Sequence, residues 1–166
     1  NSCFPASLAS YEKEPVFKDN MLIYNGKYYL IGEGHKEFLA DKTKDLDYYV
    51  LALAAIAREM NIRKITSGKV RIAAGLPLTW VSGQREEFKE YLMQNKIVEF
   101  SFRNIPYRIE IVGVDVFPQG FAAVADRLYD FKGVNMLCDI GNGTMNIMFI
   151  NDKKPIPGNM FTEKYG

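Results

Sequence analysis

Two apolar runs, Val134 to Cys138 and Thr144 to Ile150, enclose Asp139-Ile140-Gly141-Asn142-Gly143, and no other stretch limits the possible folds so sharply. The near-continuous first run predicts a strand buried on both faces, the glycines a tight turn, and the second run the strand that returns. Glycines at 141 and 143 let the backbone take positive φ and bring N–H groups close to an anion with no Cβ in the way. Thr144 adds a hydroxyl donor at the same mouth. A carboxylate at the end of a buried strand is costly unless paired, and Mg²⁺ carried on nucleotide phosphates, reached directly or through its waters, is a natural partner for Asp139. The chemistry this permits is phosphoryl transfer to water. The other reading is a plain hairpin, since Asn142-Gly143 is a favoured two-residue turn and Asp139 can bond local amides.

About twenty positions upstream lies Val116-Phe117-Pro118-Gln119-Gly120-Phe121-Ala122-Ala123-Val124-Ala125, which reads as a helix start rich in small residues. Proline is tolerated in a helix's first turn, and Phe121, Val124, Ala125 and Leu128 share one helical stripe. A glutamine at such a start, facing a glycine turn across a cleft, orients water through one donor and one acceptor without a tuned pKa. Gln119 fits that role; its alternative is an ordinary solvated first-turn glutamine.

The remaining sequence supplies α/β layers with antiparallel edges. Residues up to Pro15 show no clean period and read as an irregular or edge-strand segment. Asn25-Gly26, between Met21–Tyr24 and Lys27–Ile31, predicts a hairpin with a type I′ turn. Tyr49, Val50, Leu53, Ala57 and Met60 form a helical stripe reaching about Asn61, with Asp45 placed to accept first-turn amides. Lys69 to Ala74 reads as a strand stopped by Gly75-Leu76-Pro77. Ser82 is placed to cap the next helix, whose apolar positions are Phe88, Tyr91 and Leu92. Val98, Phe100 and Phe102, then Tyr107, Ile109 and Ile111, predict a second hairpin joined through Asn104-Ile105-Pro106.

With 166 residues, 48% of them apolar, the chain is long enough to bury roughly 70% of its unfolded surface without metal or disulfides. Lys and Arg total 21 against 20 Asp and Glu, with neither sign gathered in a block, so direct nucleic-acid or anionic-membrane binding is disfavoured. No apolar stretch reaches the ~20 residues needed to span a bilayer. Cys3 and Cys138 are far apart in sequence, and Cys138 reads as a packed, inert thiol of a reduced cytosolic protein. His35 is the only histidine, which leaves no material for a histidine metal site and reads as a loop residue. Trp80 reads as a half-buried strand-to-helix corner. The opening Asn1-Ser2-Cys3-Phe4-Pro5 reads as the middle of a longer protein.

The pairing of a Gln119-bearing helix start with Asp-x-Gly-x-Gly-Thr resembles the actin, heat-shock chaperone and sugar-kinase superfamily. More narrowly, Gly75-Leu76-Pro77-Leu78-Thr79-Trp80, Gln84-Arg85-Glu86-Glu87-Phe88-Lys89-Glu90-Tyr91-Leu92 and the Asp139 loop are similar to the bacterial actin-like ParM/StbA family of plasmid segregation proteins. The resemblance implies an α/β, ribonuclease H-like lobe of an actin-like ATPase, a mixed sheet with flanking helices and β-hairpins. Residues 1–132 would form most of a first lobe and 133–166 the opening hairpin of a second. Asp139 is implied as the magnesium-linked acid, Gly141, Asn142, Gly143 and Thr144 as the second phosphate loop, and Gln119 as the water-positioning residue, making Gln119 and Asp139 the catalytic pair. ATP or GTP with Mg²⁺, self-association into filaments, a DNA-bound adaptor protein and a cytoplasmic location follow from the same likeness. The family's first phosphate loop and adenine-binding segment have no counterpart in these residues, so the 166 residues alone are expected not to hydrolyse ATP appreciably. Two other functions stay open: a monomeric chaperone-like ATPase or small-molecule kinase of the same superfamily, and a nucleotide-free scaffold domain.

Overall fold

The computed structural model describes residues 4–16, 19–34, 43, 45–141 and 144–164. His35 lies outside the described residues. The chain divides into two compact units, residues 1–71 with 90–113 and residues 72–89 with 114–166.

In the first unit the segment without a clear period contains a short strand, β1 (Leu8–Tyr11), paired antiparallel to β3. β2 (Met21–Tyr24) and β3 (Lys27–Ile31) form the expected hairpin, and Asn25 and Gly26 take φ of 49° and 75°, the two positive values a type I′ turn requires. Helix α1 (Asp47–Ile62) buries Tyr49, Val50, Leu53, Ala57 and Met60, the stripe read from the sequence. Asp45 Oδ1 accepts the Asp47 amide at 2.9 Å, and the hydroxyl of Tyr91 accepts the Tyr49 amide at 2.8 Å. Two of the open donors of the first turn are thereby satisfied from outside the helix.

β4 (Ser67–Leu76) is longer than predicted, as is β6 (Ile105–Pro118), and both continue from one unit into the other. So does α2 (Val81–Leu92). This helix begins one residue before Ser82, with Trp80 O accepting the Gln84 amide at 2.8 Å, so Ser82 lies in its first turn and does not cap it. β5 (Ile97–Phe102) pairs antiparallel with β6, burying Val98, Phe100 and Phe102 with Tyr107, Ile109 and Ile111. The connection is Arg103-Asn104 at φ of 53° and 63°, while Ile105 and Pro106 already belong to the strand. Pro106 is tolerated so near the start of a strand, where few ladder bonds depend on it.

Strand order is β1-β3-β2-β5-β6-β4. Arg108 N bonds Thr66 O and Gln119 N bonds Leu76 O, so partners advance together and β4 and β6 run parallel. Parallel neighbours need a crossover connection, which α2 and β5 provide.

In the second unit Pro118 ends β6 instead of opening a helix. The expected third helix is one turn, α3 (Phe121–Val124), followed by a 3-10 segment, Ala125–Asp130. β7 (Val134–Ile140), β8 (Thr144–Asn151) and β9 (Lys154–Lys164) form an antiparallel sheet in that order. The last strand is missed by sequence reading because Pro155, Pro157 and Gly158 interrupt its apolar pattern. β7 is not buried on both faces: it alternates, with Val134, Met136, Cys138 and Ile140 exposed, so the packed thiol expected at Cys138 is instead an exposed one. Continuous apolar sequence does not distinguish a buried strand from an edge strand with one uncovered apolar face. The opposite face carries the core of this unit: Leu78, Met148 and Ile150, with Phe121, Val124, Leu128, Phe131, Leu137 and Met160 packed around them.

Candidate functional site

Three strand ends meet within the second unit: those of β4, β6 and β7. Gln119, just past β6, donates its backbone N–H to Leu76 O at 2.8 Å and its side-chain Nε2 to Gly75 O at 3.4 Å. A Cβ at Gly75 would stand 2.9 Å from Gln119 Cγ. Gly120 has φ of 80°, and a Cβ there would stand 2.9 Å from Asp139 Cβ and 3.2 Å from Asp139 Oδ2. Real Cβ atoms essentially never come within 3.0 Å of such a neighbour. Glycine at 75 thus makes room for the Gln119 side chain over β4, and glycine at 120 lets the backbone reach the Asp139 side chain.

Gly141 N bonds Thr144 O at 2.9 Å and closes the bend after β7. Thr144 is buried, and its Oγ1 would lie 3.9 Å from a Cβ at Gly141. Asn142 and Gly143 lie outside the described residues. Gln119, Asp139, Gly141 and Thr144 are therefore gathered at one end of the second unit, with Asp139 and Gln119 half-buried beside Gly120. Cross-strand pairing adds a polar row on the inner face of the sheet, Asp139 opposite Asn146 and Asn146 opposite Thr162. Asn146 Oδ1 accepts the Leu78 amide at 3.2 Å and the Thr162 hydroxyl at 2.8 Å.

Among the described residues no three His, Cys, Asp or Glu side chains cluster as a metal cage. A cation at Asp139 would take its other ligands from phosphate oxygens and water, a set that suits Mg²⁺, which keeps several waters and binds through one or two carboxylates. The glycine cradle beside Asp139 leaves the carboxylate unshielded by any Cβ at position 120. The residues present fit such a group.

Sequence reading did not assign Gly120, Asn146 or Thr162. The first is recognisable only from its positive φ and its contact, and the other two only from strand register, which a single sequence does not fix.

Residues 2–121 match the family model described as the N-terminal domain of actin-like proteins. The chain belongs to the actin-like protein family. No curated protein matches it. Solved structures similar to this actin-like chain include AlfA from a B. subtilis plasmid, pLS32, as a filament, at 16% identity and a TM-score of 0.74 over 98% of this chain and 62% of that one. The apo ParM of pSK41 has 17% identity and a TM-score of 0.70, covering 98% and 60%. An Alp12 filament structure has 21% identity and a TM-score of 0.66, covering 95% and 51%. These likenesses are of fold. The chain spans between about half and three-fifths of the length of these structures.

Proposed function

We propose that this chain is part of a nucleotide-dependent, filament-forming actin-like ATPase that acts in plasmid DNA segregation, with residues 1–132 as most of one lobe and 133–166 opening a second. The observation that carries the nucleotide reading is the approach of Gly120, the residue after Gln119, to the Asp139 carboxylate at the end of β7. A plain hairpin has no need for a left-handed glycine from another strand end pressed against its first carboxylate.

When bound, Mg-ATP or Mg-GTP would supply the transferable phosphoryl group and the metal charge. Backbone N–H groups of the bend would hold phosphate oxygens, with the Thr144 hydroxyl as a further donor. Asp139 would hold the metal or its waters. Gln119, steadied through Nε2 on Gly75 O, would present its side-chain oxygen as acceptor to an attacking water and orient it. Filaments follow if nucleotide-dependent lobe closure exposes an open-ended, heterologous contact. The filament forms of AlfA and Alp12, and an AlfA filament bound to AMPPNP, support this direction. A cytoplasmic location and a DNA-bound adaptor that links the filament to its cargo belong to the same proposal.

Titration calorimetry of the complete protein with Mg-ATP is expected to give saturable heat, and Asp139→Ala to weaken binding by about 100-fold, at the upper end of losses seen when a group that supports a metal is removed. Equal heats for both proteins would leave the bend as a mere hairpin. The complete protein is expected to sediment only with nucleotide; a protein that binds nucleotide and stays in the supernatant would be the monomeric ATPase or kinase instead.

A further inference from the structure

We propose that Asn146 is a positioning residue that ties the loop after β4 to the phosphate bend; this rests on the nucleotide reading above. The carboxamide sits on β8, two positions past Thr144 on the same inner face, and is 4% exposed. Its oxygen has two donors from different parts of the unit, the Leu78 backbone in the loop and the Thr162 hydroxyl on β9. Thr162 Oγ1 in turn accepts the Thr79 amide at 3.4 Å, so two successive loop amides end on this pair of side chains. Leu78 inserts its side chain into the Met148 and Ile150 core, and Lys164 Nζ stands 5.8 Å from the centre of the Trp80 ring.

The loop that follows Gly75 and Leu76 is thus fastened to β8 and β9 by hydrogen bonds, a core side chain and a cation–π contact. The same Gly75 and Leu76 carbonyls hold Gln119. On the other side of Asn146, in register, is Asp139. The planar carboxamide has its oxygen committed to the loop and to β9, so its rotamer is fixed next to Asp139. A shift of the Asp139 strand end on nucleotide binding therefore reaches Gly75 and Gln119 through Asn146, and a loosened loop reaches Asp139 by the same route. Such coupling is reciprocal: nucleotide must protect the loop by as much as the loop strengthens nucleotide binding.

The test uses the complete protein and Mg-ATP. Hydrogen exchange at the Leu78 and Thr79 amides is expected to slow on Mg-ATP binding. Thr162→Val, which removes one donor to Asn146 and the acceptor of Thr79, is expected to speed that exchange and weaken Mg-ATP binding by about 3- to 10-fold, the scale of one hydrogen bond. Asn146→Leu should do more of both if it folds, and Thr162→Val serves if it does not. Phe149→Ala, on the same strand but on the opposite face, where its ring meets Phe161, controls for stability alone and is expected to leave the Mg-ATP affinity in place. Unchanged affinity in Thr162→Val, or an equal loss in Phe149→Ala, overturns the assignment of Asn146 while wild-type binding upholds the nucleotide site. A wild-type protein that binds no Mg-ATP overturns both.

Discussion

Alanine at position 120 is expected to lower stability by about 2–5 kcal/mol and to remove measurable Mg-ATP binding. Two effects add. A non-glycine residue in the left-handed region costs about 1–2 kcal/mol, and Gly120 has φ of 80°. The new methyl would also stand 2.9 Å from Asp139 Cβ. That atom is fixed to the backbone of β7 and is no flexible tip, so a strand end must move, at the ~1–3 kcal/mol typical of overpacking. Gly26 supplies the comparison, with φ of 75° and no atom within 4 Å of its Cβ position. Gly26→Ala should show the conformational cost alone and leave nucleotide binding intact. Chemical denaturation of both variants beside wild type isolates the contact with Asp139. If the two alanines cost the same and bind Mg-ATP alike, the close approach of β6 and β7 has no part in the site.

The comparison of these two glycines also shows which parts of the fold were legible in sequence. Asn25-Gly26 declares its turn through residues adjacent in the chain, and the stripe from Tyr49 to Met60 declares its buried face through a local period. Gly120 declares nothing locally, because its requirement is imposed by a carboxylate nineteen positions away. The sequence spacing singles out the Gln119 and Asp139 segments, and the structure sets Gly120, the chain neighbour of Gln119, against Asp139. Pairing is where sequence reading failed. β6 absorbed the proline expected to begin a helix, and β9 went unseen. The face of β7 that carries Cys138 was read as buried because apolar composition reports a preference for burial and not whether these residues supply the cover.

Local pattern was equally silent about Tyr91, which reads as an apolar helix position and is in fact a polar cap for another helix. Its hydroxyl accepts the Tyr49 amide and donates to Asp45 O at 2.7 Å, bridging the start of α1 to α2 within the first unit. Tyr91→Phe keeps the ring and its edge contact with Tyr49 but withdraws the acceptor from the amide of a residue that is 1% exposed. A loss of about 2–4 kcal/mol is expected, the scale of a buried donor left unpaired together with a second bond lost. Tyr49→Phe should be close to neutral, because the Tyr49 hydroxyl is buried with no hydrogen-bond partner among the described residues. The same burial raises both phenols, Tyr49 to about 12 and Tyr91 also upward from 10.0. The folded state therefore keeps protons that the unfolded chain releases above its ordinary tyrosine pKa. Stability from these groups is whole below pH 10.0 and falls as pH climbs toward about 12. Urea midpoints followed across that window should decline less steeply in Tyr91→Phe than in wild type, from a lower starting value. A variant as stable as wild type at neutral pH, with an identical alkaline slope, would mean that the Tyr91 hydroxyl is solvated and caps nothing.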